Sequence, residues 1–439
     1  MTTALVIGNM IGSGIFLLPA ALAPYRGYGI VSWLITTVGS LSLAVTFARL
    51  ARRLPRVGGP YAFAREGFGE FTGFFMAWGF WISVLASSAA IAAALTSYLT
   101  VFWPALGASP LLAAVVTLGA IWALTALNVS GVRRGGAMQV ATVVLKLVPL
   151  VLIGTFGLAY ANADAFALEA PPGETPLSSL NAAIALTLWA FLGFESASIP
   201  ADNVIDPART IPRATILGTV ITAVVYIAST VAVMGIMPLD ALAASSAPFA
   251  DAARTVWGGW AGYLMGLGAA VSCFGALNGW ILVQGQLPMA MARDGLFPAL
   301  FARTRPDGTP AVGTAVSSVL VSVLLLLSFS GTLVEVFTKT ILLATLTAVV
   351  PYVFAAMTEL RFVLEQPGTL GRRIDGDASP IGRVAIPIAA FLYAMWAVVG
   401  AGQETVYLGF IMLLAGLPIY VWLKRTSPVA ASTSQRPSS

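Results

Sequence analysis

Three chemically active features interrupt long apolar stretches of the sequence. Gly8-Asn9-Met10-Ile11-Gly12-Ser13-Gly14-Ile15-Phe16 sets two glycines around a serine. Trp189-Ala190-Phe191-Leu192-Gly193-Phe194-Glu195-Ser196 sets a glycine and then a carboxylate. Val143-Val144-Leu145-Lys146-Leu147-Val148-Pro149 sets a lone ammonium. Glycine costs about 1 kcal/mol in a helix interior. The Gly12–Gly14 pair therefore serves either close helix packing through small residues or a break in the helix. A break frees backbone amides, which bind an anion at a half-helix N-terminus with help from the dipole. It also frees carbonyls, which bind a cation. An α-amino acid, with a carboxylate close to an ammonium, suits a pair of such breaks. Gly12, Ser13 and Gly14 would take the carboxylate, and the carbonyls of Trp189–Leu192, with Met10 of the first break nearby, the ammonium.

The neighbouring side chains extend this reading. Trp189 precedes the second break by one helical turn and can lean over the site. Trp280 lies in the middle of an apolar run, away from the interfacial belts where tryptophan concentrates. It is either packing or a cation–π platform, worth about 2 kcal/mol or more when desolvated. An ionisable group inside a bilayer is costly and functional by default. Glu195 is then a candidate for proton response, or else a structural hydrogen bond to a neighbouring helix. Lys146 sits too centrally in its run to reach water easily by snorkelling. It can donate to carbonyls around Asn9–Gly12.

These residues need elements that hold them inside a membrane. Of 439 residues, 58% are hydrophobic and 9% charged, against about 25% charged in a soluble domain. That composition excludes a soluble enzyme, a disordered chain and a nucleic-acid binder. A single cysteine and no histidine exclude a disulfide framework, histidine-based catalysis and the usual zinc sites. A crossing takes about 20 apolar residues. The apolar runs give twelve spans, at 3–24, 28–50, 70–102, 110–130, 137–160, 181–201, 214–237, 261–291, 312–330, 334–358, 384–401 and 404–423. All but four of the 23 basic residues (Arg26, Lys146, Arg254 and Lys339) then fall on one side, in alternate loops and the tail. The positive-inside rule makes that side cytoplasmic and puts both termini there. The fold class is an all-α polytopic membrane protein. Spans 1 and 6 are both interrupted and open two sets of five spans, which points to an inverted-repeat transporter. A channel would need a filter or charged ring, and no such run occurs. An intramembrane enzyme would need a nucleophile–base pair or metal cluster, and none is visible.

The stretches GNMIGSGIFLLPA (8–20), GGPYAFAREGFG (58–69), LWAFLGFESAS (188–198) and DGLFPALFAR (294–303) resemble the amino acid–polyamine–organocation transporters. The likeness is strongest to their basic amino acid/polyamine antiporter branch, of arginine/agmatine type, and covers all twelve spans. It implies a LeuT-type five-plus-five inverted repeat with discontinuous helices 1 and 6. Residues 1–160 and 181–358 would form the two halves. Residues 384–423 would stand outside them, and 424–439 would be a disordered tail. It also implies a bacterial inner-membrane location, an amino acid or polyamine as substrate, the lipid bilayer as surroundings, often a homodimer, and no cofactor or metal. Residue by residue, Ser13 and Gly14 match the family's carboxylate-binding pair, Trp189 the tryptophan covering the substrate, and Trp280 the one stacking on a guanidinium. Glu195 matches a glutamate of pH response, Tyr61 a tyrosine of the cytoplasmic-side gate, and Phe337 an aromatic near the substrate. Ser88 stands for an asparagine touching the substrate head, Ala344 for a serine near the guanidinium, Val84 for a cysteine and Phe74 for a tyrosine. The pocket thereby loses acceptors, and a buried donor left unpaired costs about 1–3 kcal/mol. In other branches of the superfamily an ammonium at the place of Lys146 stands for a sodium ion, which implies sodium-independent transport. The alternative function is a proton-coupled or exchange transporter of neutral amino acids.

Overall fold

The computed structural model describes residues 2–54, 60–131, 146–195, 206–328, 332–365 and 380–426. Among these, nine helices are long and apolar enough to cross a membrane: Gly27–Arg53, Glu70–Leu99, Pro110–Val129, Arg209–Ile236, Gly259–Arg293, Ala311–Ser328, Leu333–Glu365, Gly382–Gly400 and Gln403–Arg425. Three shorter apolar helices, Gly14–Tyr25, Lys146–Tyr160 and Pro176–Phe191, complete the expected spans 1, 5 and 6. Residues 137–145 of span 5 and 196–201 of span 6 lie outside the described residues.

Several boundaries differ from the expected ones. Span 6 starts at Pro176 rather than 181, because Thr175 and Ser178 form a reciprocal capping box that stabilises an extra turn. Span 10 runs on to Glu365 beyond 358, as an amphipathic extension. Span 12 breaks at Ala415 into Gln403–Leu414 and Gly416–Thr426, where Pro418 has no amide to donate. Lys424, expected in a tail, is helical and bonds Glu70 at 2.6 Å.

Span 3 (Glu70–Leu99) is the axis of the bundle. Its most apolar window is 94% buried, against 17% for span 12. A helix apolar all round belongs inside, and the run Ser83–Ser97 is mostly alanine and serine, which lets backbones approach. Spans 4, 8 and 9 are joined to each other by polar side chains. Asn128 donates to Asn278 at 2.9 Å, and Ser318 links Thr125 and Gln284.

Spans 3 and 8 share a joint. Spans 3 and 8 are each preceded by a short helix, Pro60–Phe68 and Pro248–Trp257, opening Pro-aromatic-Ala. Each short helix ends at a glycine, Gly69 or Gly258, and both have φ 88° and ψ −179°. The first reaches the far end of span 8, where the Tyr61 hydroxyl donates to Asp294 at 3.1 Å. The second reaches the far end of span 3, where the Phe249 amide donates to the Tyr98 hydroxyl at 3.3 Å. Reciprocal docking at opposite ends is what an inverted repeat requires.

Basic side chains gather at one end. Arg49 donates to the Gly382 and Arg383 carbonyls, Arg53 pairs with Glu359, Arg65 with Asp294, and Arg305 donates to Val129. At the opposite end Arg26 pairs with Glu169, and the Asn162 amide donates to Gly235.

Candidate functional site

Span 1 is two half-helices, Thr2–Met10 and Gly14–Leu22, separated at Ile11–Ser13. In the first turn of the second half-helix the Phe16 amide donates to the Ser13 carbonyl at 3.1 Å, and the amides of Gly14 and Ile15 precede any intrahelical acceptor. The Ser13 hydroxyl beside them is fully buried and has no hydrogen-bond partner among the described residues. Span 6 stops at Phe191 and turns through Leu192 to Gly193, whose φ is 112°. Of its last carbonyls, that of Trp189 accepts from the Leu192 amide at 3.0 Å, and those of Ala190 and Phe191 lie beyond the last intrahelical donor.

The breaks touch. A Cβ on Gly193 would lie 3.0 Å from the Asn9 carbonyl carbon, and the φ itself suits only glycine. A Cβ on Gly14 would lie 2.7 Å from the Trp189 ring, so the indole rests directly on the second half of span 1. Tyr226 of span 7 fastens both, its hydroxyl facing the Met10 carbonyl at 2.6 Å and that of Ala190 at 3.2 Å. Sequence reasoning missed Tyr226. Its one signal is a lone tyrosine in an otherwise aliphatic run.

Lys146 is fully buried and donates to the Gly8 carbonyl at 2.6 Å, in the last turn before the first break. Glu195 is 2% exposed and accepts from the Gly193 amide at 3.1 Å, so it steadies the second break. The Tyr352 hydroxyl neighbours it.

Two small cavities lie against this pair of breaks. The first is lined by Asn9, Met10, Gly12, Ser13, Gly14, Ile91, Trp189, Ala190, Leu192 and Trp280. The second includes Asn9, Phe80, Gly193, Glu195, Trp280 and Val283. Asn9 and Trp280 border both, so the Trp280 indole stands between an amide-rich chamber and a carboxylate. Each holds about 10 Å³, room for one water-sized sphere. An amino acid enters only if the indoles move.

Six of the ten expected substrate-contact residues that line the first cavity are Met10, Gly12, Ser13, Gly14, Trp189 and Leu192, and Trp280 makes a seventh. Three are placed elsewhere. Ser88 spends its hydroxyl on Val84 of its own helix, at 2.9 Å. Phe337 backs the Trp189 ring edge-on, with centroids 5.3 Å apart. Ala344 packs deeper in span 10, its carbonyl accepting from Ser83 at 2.8 Å.

Both approaches are shut. On the Arg26 side, Tyr98 donates to the Phe16 carbonyl at 2.7 Å, and Phe16 meets Phe249 edge-on at 5.2 Å. On the arginine-rich side, Tyr61 and Arg65 both reach Asp294. Burial, and then the Asp294 carboxylate, hold the Tyr61 hydroxyl above the usual tyrosine range, so it remains a donor at physiological pH.

Residues 1–423 match the family described as amino acid permease. The chain is 35% identical to the cadaverine/lysine antiporter of Escherichia coli (strain K12) over 369 residues, 82% of each chain. It is 32% identical to the putrescine transporter PotE of Haemophilus influenzae over 420 residues, covering 95% of this chain and 94% of the other. It is 31% identical to the arginine/ornithine antiporter of Pseudomonas aeruginosa over 437 residues, covering 96% and 89%.

Proposed function

The chain belongs to the amino acid permease family, a family of membrane transporters, and from that premise we propose that it exchanges basic amino acids for polyamines across the bacterial inner membrane. One observation carries the reading. The Trp280 indole separates an unpaired serine hydroxyl and half-helix amides from the Glu195 carboxylate. A substrate with a carboxylate at one end and a cation at the other spans that arrangement. The indole face attracts the cation.

Spans 1, 2, 6 and 7 would rock against spans 3, 4, 8 and 9, with residues 1–160 and 181–358 as the inverted halves and the arginine-rich end in the cytoplasm. The matched glycine joints before spans 3 and 8 support that division. Lys146 would make exchange independent of sodium, because its amine already occupies the Gly8 carbonyl beside the first break as a hydrogen-bond donor. Among cationic substrates, arginine with agmatine and lysine with cadaverine are the pairs to separate. A second reading, exchange of neutral amino acids, is favoured by Ser88, whose hydroxyl is spent on its own helix, and by the apolar Ala344.

The test is labelled arginine and lysine uptake into sodium-free proteoliposomes, loaded with agmatine, cadaverine, a neutral mixture or nothing. Uptake only into amine-loaded vesicles supports the proposal, and the better counter-substrate names the pair. Uptake of neutral amino acids alone overturns it in favour of the second reading.

A further inference from the structure

Glu359 of span 10 is a buried carboxylate with no hydrogen bond on either oxygen among the described residues. Its ion-pair contact among them is Arg53 of span 2, at 3.6 Å, beyond hydrogen-bond reach. Arg53 is 36% exposed, and its guanidinium also lies 6.0 Å above the Phe362 ring. A buried charge so weakly satisfied is expensive, and a purely structural pair has every reason to close up. This one does not.

Its position says what else it serves. Tyr352, which neighbours Glu195, is seven residues before Glu359, two turns along the same helix face and about 10 Å away. Four buried aromatic residues fill the space from one carboxylate toward the other. The Phe47 ring lies 5.3 Å from Phe194, 5.2 Å from Tyr352 and 5.9 Å from Phe63. The order from the site toward the arginine-rich end is therefore Trp280, Glu195, an aromatic plug, Glu359, and Arg53. Aromatic faces tolerate a passing cation, and a carboxylate at each side of the plug gives it somewhere to arrive.

We propose that Glu359 is a second binding station for the substrate's protonated amine, and that Arg53 occupies it between passages. The station rests on the cationic-substrate reading above. The long Arg53 contact holds the carboxylate weakly, so an ammonium displaces the guanidinium without breaking a hydrogen bond. Arg53 then swings toward water, leaving one cation on the carboxylate at each stage.

The experiment uses the full chain in right-side-out and inside-out membrane vesicles, with labelled lysine and cadaverine. Wild-type exchange of either is the first readout. If only neutral amino acids are exchanged, the functional reading falls and the station with it. Given cationic exchange, Glu359→Gln raises KM about tenfold only in the vesicles that expose the arginine-rich end, and Glu359→Asp restores part of the loss. Arg53→Gln, which removes the competitor, lowers KM at that same face. Thermal unfolding of each purified variant identifies any that misfolds, and Arg53→Gln alone then decides. Equal KM changes at both faces, no change, or a rise in KM for both substitutions would overturn the station while leaving the exchanger reading intact.

Discussion

Ser13 and Tyr226 are hydroxyls at the same pair of breaks with opposite duties. Tyr226 is committed to protein carbonyls, and Ser13 to none. Removing Ser13 Oγ therefore takes nothing from the fold. Ser13→Ala leaves the melting temperature in detergent unchanged, while substrate binding weakens by about 1.5–3 kcal/mol, the range for a hydrogen bond to a charged group. Calorimetric titration with lysine or arginine measures it, and full affinity in the variant would remove Ser13 from the carboxylate chamber. Ser13, Lys146 and Glu195 could be picked out in the sequence because polar groups in apolar runs carry a cost that demands a reason. Tyr226, Tyr98 and Tyr352 could not. Tyrosine is ordinary in membrane helices, and which way a helix face turns is decided by partners far away in sequence. Glu359 hid for a related reason, standing just past the expected end of span 10 among charged residues that read as a loop.

At the scale of elements, the helix breaks are held open by contacts between them. Gly193 combines a left-handed φ with a close approach to Asn9. Gly193→Ala costs about 1–2 kcal/mol for the backbone alone, and its methyl group pushes on the first break. Gly173→Ala is the control, with φ 84° and nothing within 4 Å of its would-be Cβ. The expected result is a larger fall in melting temperature for Gly193→Ala than for Gly173→Ala, together with lost exchange. Equal falls would mean that the two breaks do not lean on each other. The breaks could be placed from glycine and serine spacing. The capping-box turn of span 6 and the break of span 12 were also written in the sequence, in Thr175–Ser178 and Gly416–Pro418. Their residues are common in loops, so hydropathy alone started span 6 late and left span 12 unbroken.

For the molecule as a whole, the distribution of arginine fixes two distinct ends, and the structure gathers those arginines through contacts that no local pattern specifies. The sole cysteine, Cys273, is buried, so introduced cysteines report without background. Asp240→Cys, on the short helix Leu239–Ala243 after span 7, labels with an impermeant maleimide in intact cells. Asp307→Cys, between spans 8 and 9, labels only after the membrane is opened. The reverse pattern would invert the whole orientation and, with it, the side on which Glu359 acts.

Gly69 and Gly258, in one conformation at opposite ends, give the two mouths of the molecule matching elbows. On the exchange reading proposed above, a carrier jointed alike at both mouths resembles a revolving door, and the direction of net flow belongs to the cell, which decides by what it makes and consumes on either side.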